Sequence, residues 1–249
     1  MALATLDAII LQAFPYSETS KILRLLTPGH GVQSVMAKGA RRLRSRYGGI
    51  LEPFTDGFAT FYLRQNRELH TLSDFELVRP RQALGRDLVR FGGASLLAEI
   101  MLRTASEEAA PEVFSRVRSA LDRLEAASPE TVEATALAET WALITALGFG
   151  PSLDRCVECG EAVPDEGELF LDYAAGGVFC KACQGGGGGG RVLPEPARAD
   201  LRALSAGVVV ELPRTGAHWQ LLSRFLAFHL VDAASLRSLD FLYGARGAQ

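Results

Sequence analysis

Four cysteines constrain this chain more than any other feature. They come as two CxxC pairs, Cys156 with Cys159 and Cys180 with Cys183, and twenty residues separate the pairs. A CxxC makes a tight knuckle that aims two thiolates at one point. Two knuckles complete a closed tetrahedral set of four thiolates, the usual geometry of structural zinc. A closed set keeps no open position for water, so it argues against metal-assisted hydrolysis. The surrounding segment, residues 151–190, is rich in Gly, Pro and charge and ends in GGGGGG at 185–190. It cannot build its own apolar core, and one bound zinc ion would stand in for that core. The polyglycine reads as a flexible tether.

The start of the chain, MALATLDAIILQAF, lacks a positively charged leader, and Asp7 interrupts its apolar run. It reads as a strand rather than an export signal, and no apolar run is long enough to span a membrane. A cytoplasmic, reducing setting follows, in which paired thiols serve as ligands rather than disulfides.

Residues 1–80 read as β-rich. Short runs at 6–14, 21–27, 32–38, 54–64 and 68–78 alternate or carry β-formers, and PGHG at 28–31 is a turn signal. Five short strands in this length predict an OB-fold barrel. From about residue 81 the period becomes helical. Val113, Phe114, Val117, Leu121 and Leu124 share one face of a helix opened by Pro111. The next helix is given Ser128 as N-cap, Pro129 at its first position and a mixed face of Val132, Ala136, Glu139/Thr140, Ile144 and Leu147. A later helix aligns Trp219, Leu222, Leu226, His229 and Leu230. The predicted fold class is therefore α+β multidomain: an OB-fold β-barrel over 1–80, then an α-helical domain over 81–249 with the four-cysteine zinc module inserted at 151–190.

The charge is divided along the chain. Its net charge is −3, yet residues 1–80 hold 10 Lys+Arg against 7 Asp+Glu, whereas the remainder holds 16 against 22. Within MAKGARRLRSRYGG, at 36–49, five cations fall in nine residues with no acidic neighbour: Lys38, Arg41, Arg42, Arg44 and Arg46. In a loop all five can point outward. Cations so placed grip phosphates through counterion release, which is steeply salt-dependent and tolerant of sequence. The arginines suit bidentate phosphate contact, and Tyr47 beside them is a candidate for base stacking. The competing reading is a solvated loop.

Catalytic signatures are missing. There is no GxxxxGK[ST] loop, HExxH or GxSxG, and no H-x-E partner for the CxxC pairs. The four histidines, His30, His70, His218 and His229, are scattered. No catalytic residue is assigned.

PYSETSKILRLLTPGHG, VMAKGARR, GGILEPFTDG and ELHTLSDFEL, followed by WALITALGFGPSLDRCVECG and FLAFHLVDAASLRSLDFL, resemble the RecO family of bacterial recombination mediators in order along nearly the whole chain. The resemblance implies an OB-fold, a helical domain with a four-cysteine zinc module, and no enzymatic activity. It also implies binding of single- and double-stranded DNA and annealing of complementary strands. It implies a place in the RecFOR pathway, where the family works with RecR to help RecA displace single-strand-binding protein, at the nucleoid in the cytoplasm. Lys38, Arg41 and Arg42 match the family's basic motif, and Arg44 and Arg46 extend the same contact surface by charge. The polyglycine after the second CxxC departs from the family's pattern. The alternatives are an RNA-binding or translation-associated barrel with a zinc knuckle, and a metal-dependent enzyme, which four cysteine ligands would leave without an open coordination position.

Overall fold

The computed structural model describes residues 2–63, 68–104, 111–184, 190–230 and 236–246. The predicted tether lies almost wholly outside these, with only Gly190 described. The chain divides into two compact units, Met1–Ala126 and Ala127–Gln249.

The first unit is built on a closed barrel of five strands: β1 Ala2–Pro15, β2 Lys21–Thr27, β3 Gly31–Ala37, β4 Asp56–Leu63 and β5 Leu69–Arg79, in the order β1-β2-β3-β5-β4. All neighbours are antiparallel except β3 and β5, which close the barrel in parallel through Ser34↔Leu69, Val35↔His70 and Met36↔Thr71. This is the OB-type barrel that the alternating runs predict. Inward positions fill it, at period two except across the irregularity in β5 between Leu72 and Phe75: Ala8, Ile10, Leu23, Leu25, Val35, Ala37, Ala59, Phe61, Leu72 and Phe75 form one buried cluster. A break in register between Ile10 and Gln12 lets the long β1 bend and pair with both β4 and β2.

The strands end at Arg79, but the compact unit continues through α1 Leu88–Thr104 and α2 Pro111–Ala126. The five apolar residues predicted to share a face of α2 are all buried, together with Ala120. A charged network fastens this helix to the barrel. Arg81, 3% exposed, donates from Nη1 to the Phe54 carbonyl at 2.9 Å, from Nη2 to Asp56 at 2.8 Å and from Nε to Asp122 of α2 at 2.8 Å. Arg118 of α2 pairs with Asp7 of β1 and lies 3.2 Å from Asp56. Burial alone would lower the Arg81 pKa, but Asp56 and Asp122 raise it above the ordinary arginine value, so the group stays charged. Phe54 and Arg81 both take left-handed backbone conformations, φ 69° and 41°. The strand expected from residue 54 accordingly starts at Asp56.

The second unit carries α3 Val132–Ala146, α4 Glu195–Ser205, α5 Thr215–His229 and α6 Arg237–Arg246, with a small sheet β7-β6-β8 formed by β6 Leu169–Asp172, β7 Gly177–Phe179 and β8 Arg191–Leu193. The mixed face predicted for α3 is corrected. The helix is buried on nearly all sides, including Glu139 and Thr140 at 0% exposure, and the Thr140 hydroxyl donates to the Ala136 carbonyl at 2.7 Å. Its small side chains Ala134, Ala136, Ala138 and Ala142 permit close approach all round. The expected start at Ser128 survives as a turn: the Ser128 carbonyl accepts from the Thr131 and Val132 N–H groups, and regular helix begins at Val132. On α5, Trp219 donates from Nε1 to Glu133 at 3.0 Å. No described helix is long and apolar enough to cross a membrane.

Arg81→Met leaves the buried Asp56 with Arg118 as its remaining cation and should lower the stability of the first unit by about 3 kcal/mol in urea unfolding. Adding Asp56→Asn to that variant should recover part of the loss.

Candidate nucleic-acid interface and metal centre

The basic segment leaves the barrel at the end of β3. Because β5 occupies the place beside β3, the chain must travel outside the barrel before β4 begins, and residues 38–55 make that journey. A succession of tight turns carries it: Arg42 N–H donates to the Gly39 carbonyl, Ser45 to Arg42, Gly48 to Ser45 and Ile50 to Tyr47, at 2.9–3.2 Å. Gly39 sits at φ +74°, where a side chain would be strained. Two contacts pin the loop to the β1–β2 turn at 16–20. The Arg41 N–H donates to the Thr19 carbonyl at 3.0 Å, and the Arg41 Nη1 donates to the Ser17 carbonyl at 2.6 Å.

Lys38, Arg41, Arg42, Arg44 and Arg46 are all exposed, as the loop reading expects. Their surroundings differ. Arg41 is engaged in holding the turn. Arg46 lies over the Tyr47 ring, 4.8 Å from its centroid, and donates to the Tyr47 hydroxyl at 2.7 Å. The side chains of Lys38, Arg42 and Arg44 have no hydrogen-bond or ion-pair partner among the described residues. These three are the cations most available to an external anion.

Tyr47 is a correction to the sequence reading. It is 2% exposed and belongs, with Leu51, to the buried cluster of the barrel. Its ring anchors the loop and has no open face for a base. The sequence reading also passed over Arg24, which lies on the outward face of β2 between the inward Leu23 and Leu25; it is half-buried, with its Nε out of solvent, and its side chain likewise has no partner among the described residues. The parity of KILRLL carries that signal. Exposed Phe14 and Tyr16, at the end of β1, were passed over too.

In the second unit the four cysteines converge as their spacing predicts. Their Sγ atoms all lie within 4.8 Å of one another, and Cys159 and Cys180 are 3.8 Å apart. A tetrahedral ion with metal–sulfur bonds of about 2.3 Å sets sulfurs about 3.8 Å apart, so the cluster fits a metal with little adjustment. The first knuckle closes through Cys156 N–H to the Glu161 carbonyl at 2.8 Å and Gly160 N–H to the Cys156 carbonyl at 2.9 Å. It is stitched to β7 by Val157 N–H to the Val178 carbonyl at 3.0 Å, and β7 runs directly into the second knuckle, where Cys183 N–H donates to the Cys180 carbonyl at 3.0 Å. Gly177 makes this seam possible, because a Cβ there would stand 2.5 Å from the Ser152 carbonyl. Helices hold the module in place. Arg198, 1% exposed, donates to the Pro164 carbonyl at 2.7 Å and to the Asp165 carbonyl, and His229 donates to the Tyr173 carbonyl at 2.7 Å.

The thiols polarise one another. The Cys159 N–H, with further amides at Cys180 and Glu158, lowers the Cys156 thiol to about 6. The neighbouring Cys180 sulfur, with burial and the other two thiols, pushes Cys183 up to about 12. The Glu161 N–H favours the Cys159 thiolate, but the Cys156 sulfur, burial and Cys180 outweigh it and the net shift is upward. Four thiols this close disfavour one another's ionisation, and a bound cation would relieve that. Loading a divalent ion should therefore release protons, and affinity should fall with falling pH.

The fold thus combines a closed OB-type barrel that carries an exposed basic loop with a second unit whose four clustered cysteines could hold a metal ion. The comparisons agree in order along the chain. Residues 1–81 match the model for the N-terminal part of recombination protein O, and residues 85–240 match the model for its C-terminal part. Proteins named DNA repair protein RecO are similar to this chain. That of Anaeromyxobacter dehalogenans strain 2CP-1 is 36% identical, covering 74% of this chain and 71% of its own. That of Rubrobacter xylanophilus is 34% identical, covering 74% and 73%, and that of Myxococcus xanthus is 32% identical, covering 95% of both. The chain belongs to the RecO family, and with it to DNA repair and recombination.

Elemental analysis of purified protein should find one ion per chain. Cys183→Ser should drop the content to near zero and loosen amide protection in β6 and β7, while β1–β5 stay protected.

Proposed function

We propose that this protein is a recombination mediator: it binds single- and double-stranded DNA, anneals complementary strands and, with RecR, helps load RecA onto DNA coated by single-strand-binding protein. Membership of the family supports this reading, and the exposed, unpartnered set of Lys38, Arg42 and Arg44 is the observation that carries the DNA contact. Arg41 and Arg46 add charge to the same surface while holding the loop in shape. Tyr47 supports the loop from beneath.

The mechanism is one of positioning rather than bond chemistry, and the protein acts without a catalytic residue. Lysine and arginine on a loop contact phosphates without reading sequence, so any strand can be held. Base edges stay free, and a second strand can pair while the first is still bound. Cys156, Cys159, Cys180 and Cys183 would hold one ion, and zinc is the ion that four thiolates favour. Its part is structural, tying the two knuckles together. The protein works in the cytoplasm, at the nucleoid. The acidic balance of residues 81–249 directs that part of the chain toward protein partners such as RecR and single-strand-binding protein rather than toward DNA.

The test is binding of a labelled strand across a salt series by Lys38→Ala/Arg42→Ala/Arg44→Ala, a variant that spares the turn-holding Arg41. Affinity for single strands should fall by about 10- to 100-fold, and the slope of log affinity against log salt should become shallower by about 2. Annealing should slow in step. Unchanged affinity and slope would place the DNA contact elsewhere. A matched RNA strand held more tightly than DNA, with no annealing, would favour the RNA-binding alternative.

A further inference from the structure

With Tyr47 in the core, the basic loop has no aromatic of its own, yet the register of the barrel supplies one from another part of the chain. On β1, Ala13 packs into the core and Phe14 points outward, 37% exposed. Phe14 pairs with Ile22 on β2, and Ile22 pairs with Met36 on β3. Ile22 lies beside the inward Leu23, and Met36 lies between the inward Val35 and Ala37, so both also face outward, and both are half-buried. Directly paired side chains on one face stand about 5 Å apart, so Phe14, Ile22 and Met36 form a continuous apolar row across three strands. Tyr16, 59% exposed, follows Phe14 in the turn to which Arg41 is bonded.

Cations border this row on both sides. Lys38 is the next outward position after Met36, and Arg24 is the next after Ile22. Neither side chain has a partner among the described residues. The nearby Glu52 is neutralised by Lys21 at 2.8 Å, which leaves Glu18 as the acidic side chain of the turn. An isolated exposed apolar residue needs no explanation. A row of them ending in an aromatic and flanked by unengaged cations has the composition of a surface that takes bases on its face and phosphates at its rim.

We propose that Phe14, with Tyr16 beside it and Ile22 and Met36 as the floor, is the base-stacking platform for single-stranded DNA, and that Lys38 and Arg24 hold the flanking phosphates. The inference rests on the DNA-binding reading above and adds where the bases lie. Stacking uses the π-face of a base and leaves its pairing edge outward. A strand held in this way is separated from its neighbours in solution yet presents its edges to a complement, which is what annealing requires. In a duplex the base faces are covered by neighbouring pairs, so the platform discriminates single from double strands, whereas the basic loop holds both.

The experiment compares wild type, Phe14→Leu, Phe14→Ala and Phe14→Trp, with thermal unfolding as the check on folding. Anisotropy is read with a labelled single strand and with a labelled duplex, and 2-aminopurine fluorescence is read within the single strand. Phe14→Leu keeps an apolar side chain at this surface position. It should lower single-strand affinity about tenfold, leave the salt slope and duplex affinity unchanged, and relieve the 2-aminopurine quenching seen with wild type. Phe14→Trp should keep the affinity and the quenching. If folded Phe14→Leu and Phe14→Ala bind single strands as wild type does, or lose duplex and single-strand affinity equally, the platform is overturned while the mediator reading stands. If wild type binds no single strand at all, both fall.

Discussion

The parallel pairing of β3 with β5 is the constraint on which the placement of the basic loop depends. By seating β5 beside β3, it denies β4 that place and forces residues 38–55 to leave the barrel and return around its outside. A chain obliged to make this excursion can carry charge that a strand could not, because a strand would turn every second cation inward. The five cations therefore sit in the connection rather than in a strand. Two anchors keep the excursion from wandering: Tyr47 and Leu51, buried in the barrel core, and the Arg41 contacts to the β1–β2 turn. The same contacts bring the loop beside the end of β1, where Phe14 and Tyr16 are exposed.

Each unit is fastened by charge or sulfur as well as by apolar packing. In the first, Arg81 and Arg118 are surrounded by Asp7, Asp56 and Asp122, and fix α2 against the barrel. Pairing of this kind costs desolvation, and its worth lies in how severely it penalises any arrangement that leaves one charge alone. In the second, the glycine-rich module between α3 and α4 is held by its two knuckles and by Arg198, whose buried guanidinium satisfies the Pro164 and Asp165 carbonyls at once. The cationic loop and the cysteine cluster thus belong to different units, and each unit is fastened by its own internal contacts.

Much of this was legible in the sequence, for identifiable reasons. The barrel strands announced themselves through alternation, as in KILRLL, and the cysteine cluster through CxxC spacing, because both are short-range patterns. Tyr47 misled because adjacency to cations says nothing about which side of a turn a ring takes; the Ser45–Gly48 turn sends it inward. The α3 helix misled because its alanines count as weakly apolar in a periodicity yet pack closely on every side. The Arg81 network could not be read at all, since Phe54, Asp56 and Asp122 lie 25 to 41 residues away and meet only once the barrel closes. The row formed by Phe14, Ile22 and Met36 needed strand register, which the alternation of each strand alone does not give.

The central claim, that the end of the barrel bearing the basic loop is the DNA interface, is tested most directly by hydrogen–deuterium exchange of the full chain with and without a saturating single strand. The account predicts slowed exchange in peptides covering 14–24 and 36–49 and no change across 127–230. Protection confined to the second unit, or absent from both barrel segments while the strand is demonstrably bound, would contradict it.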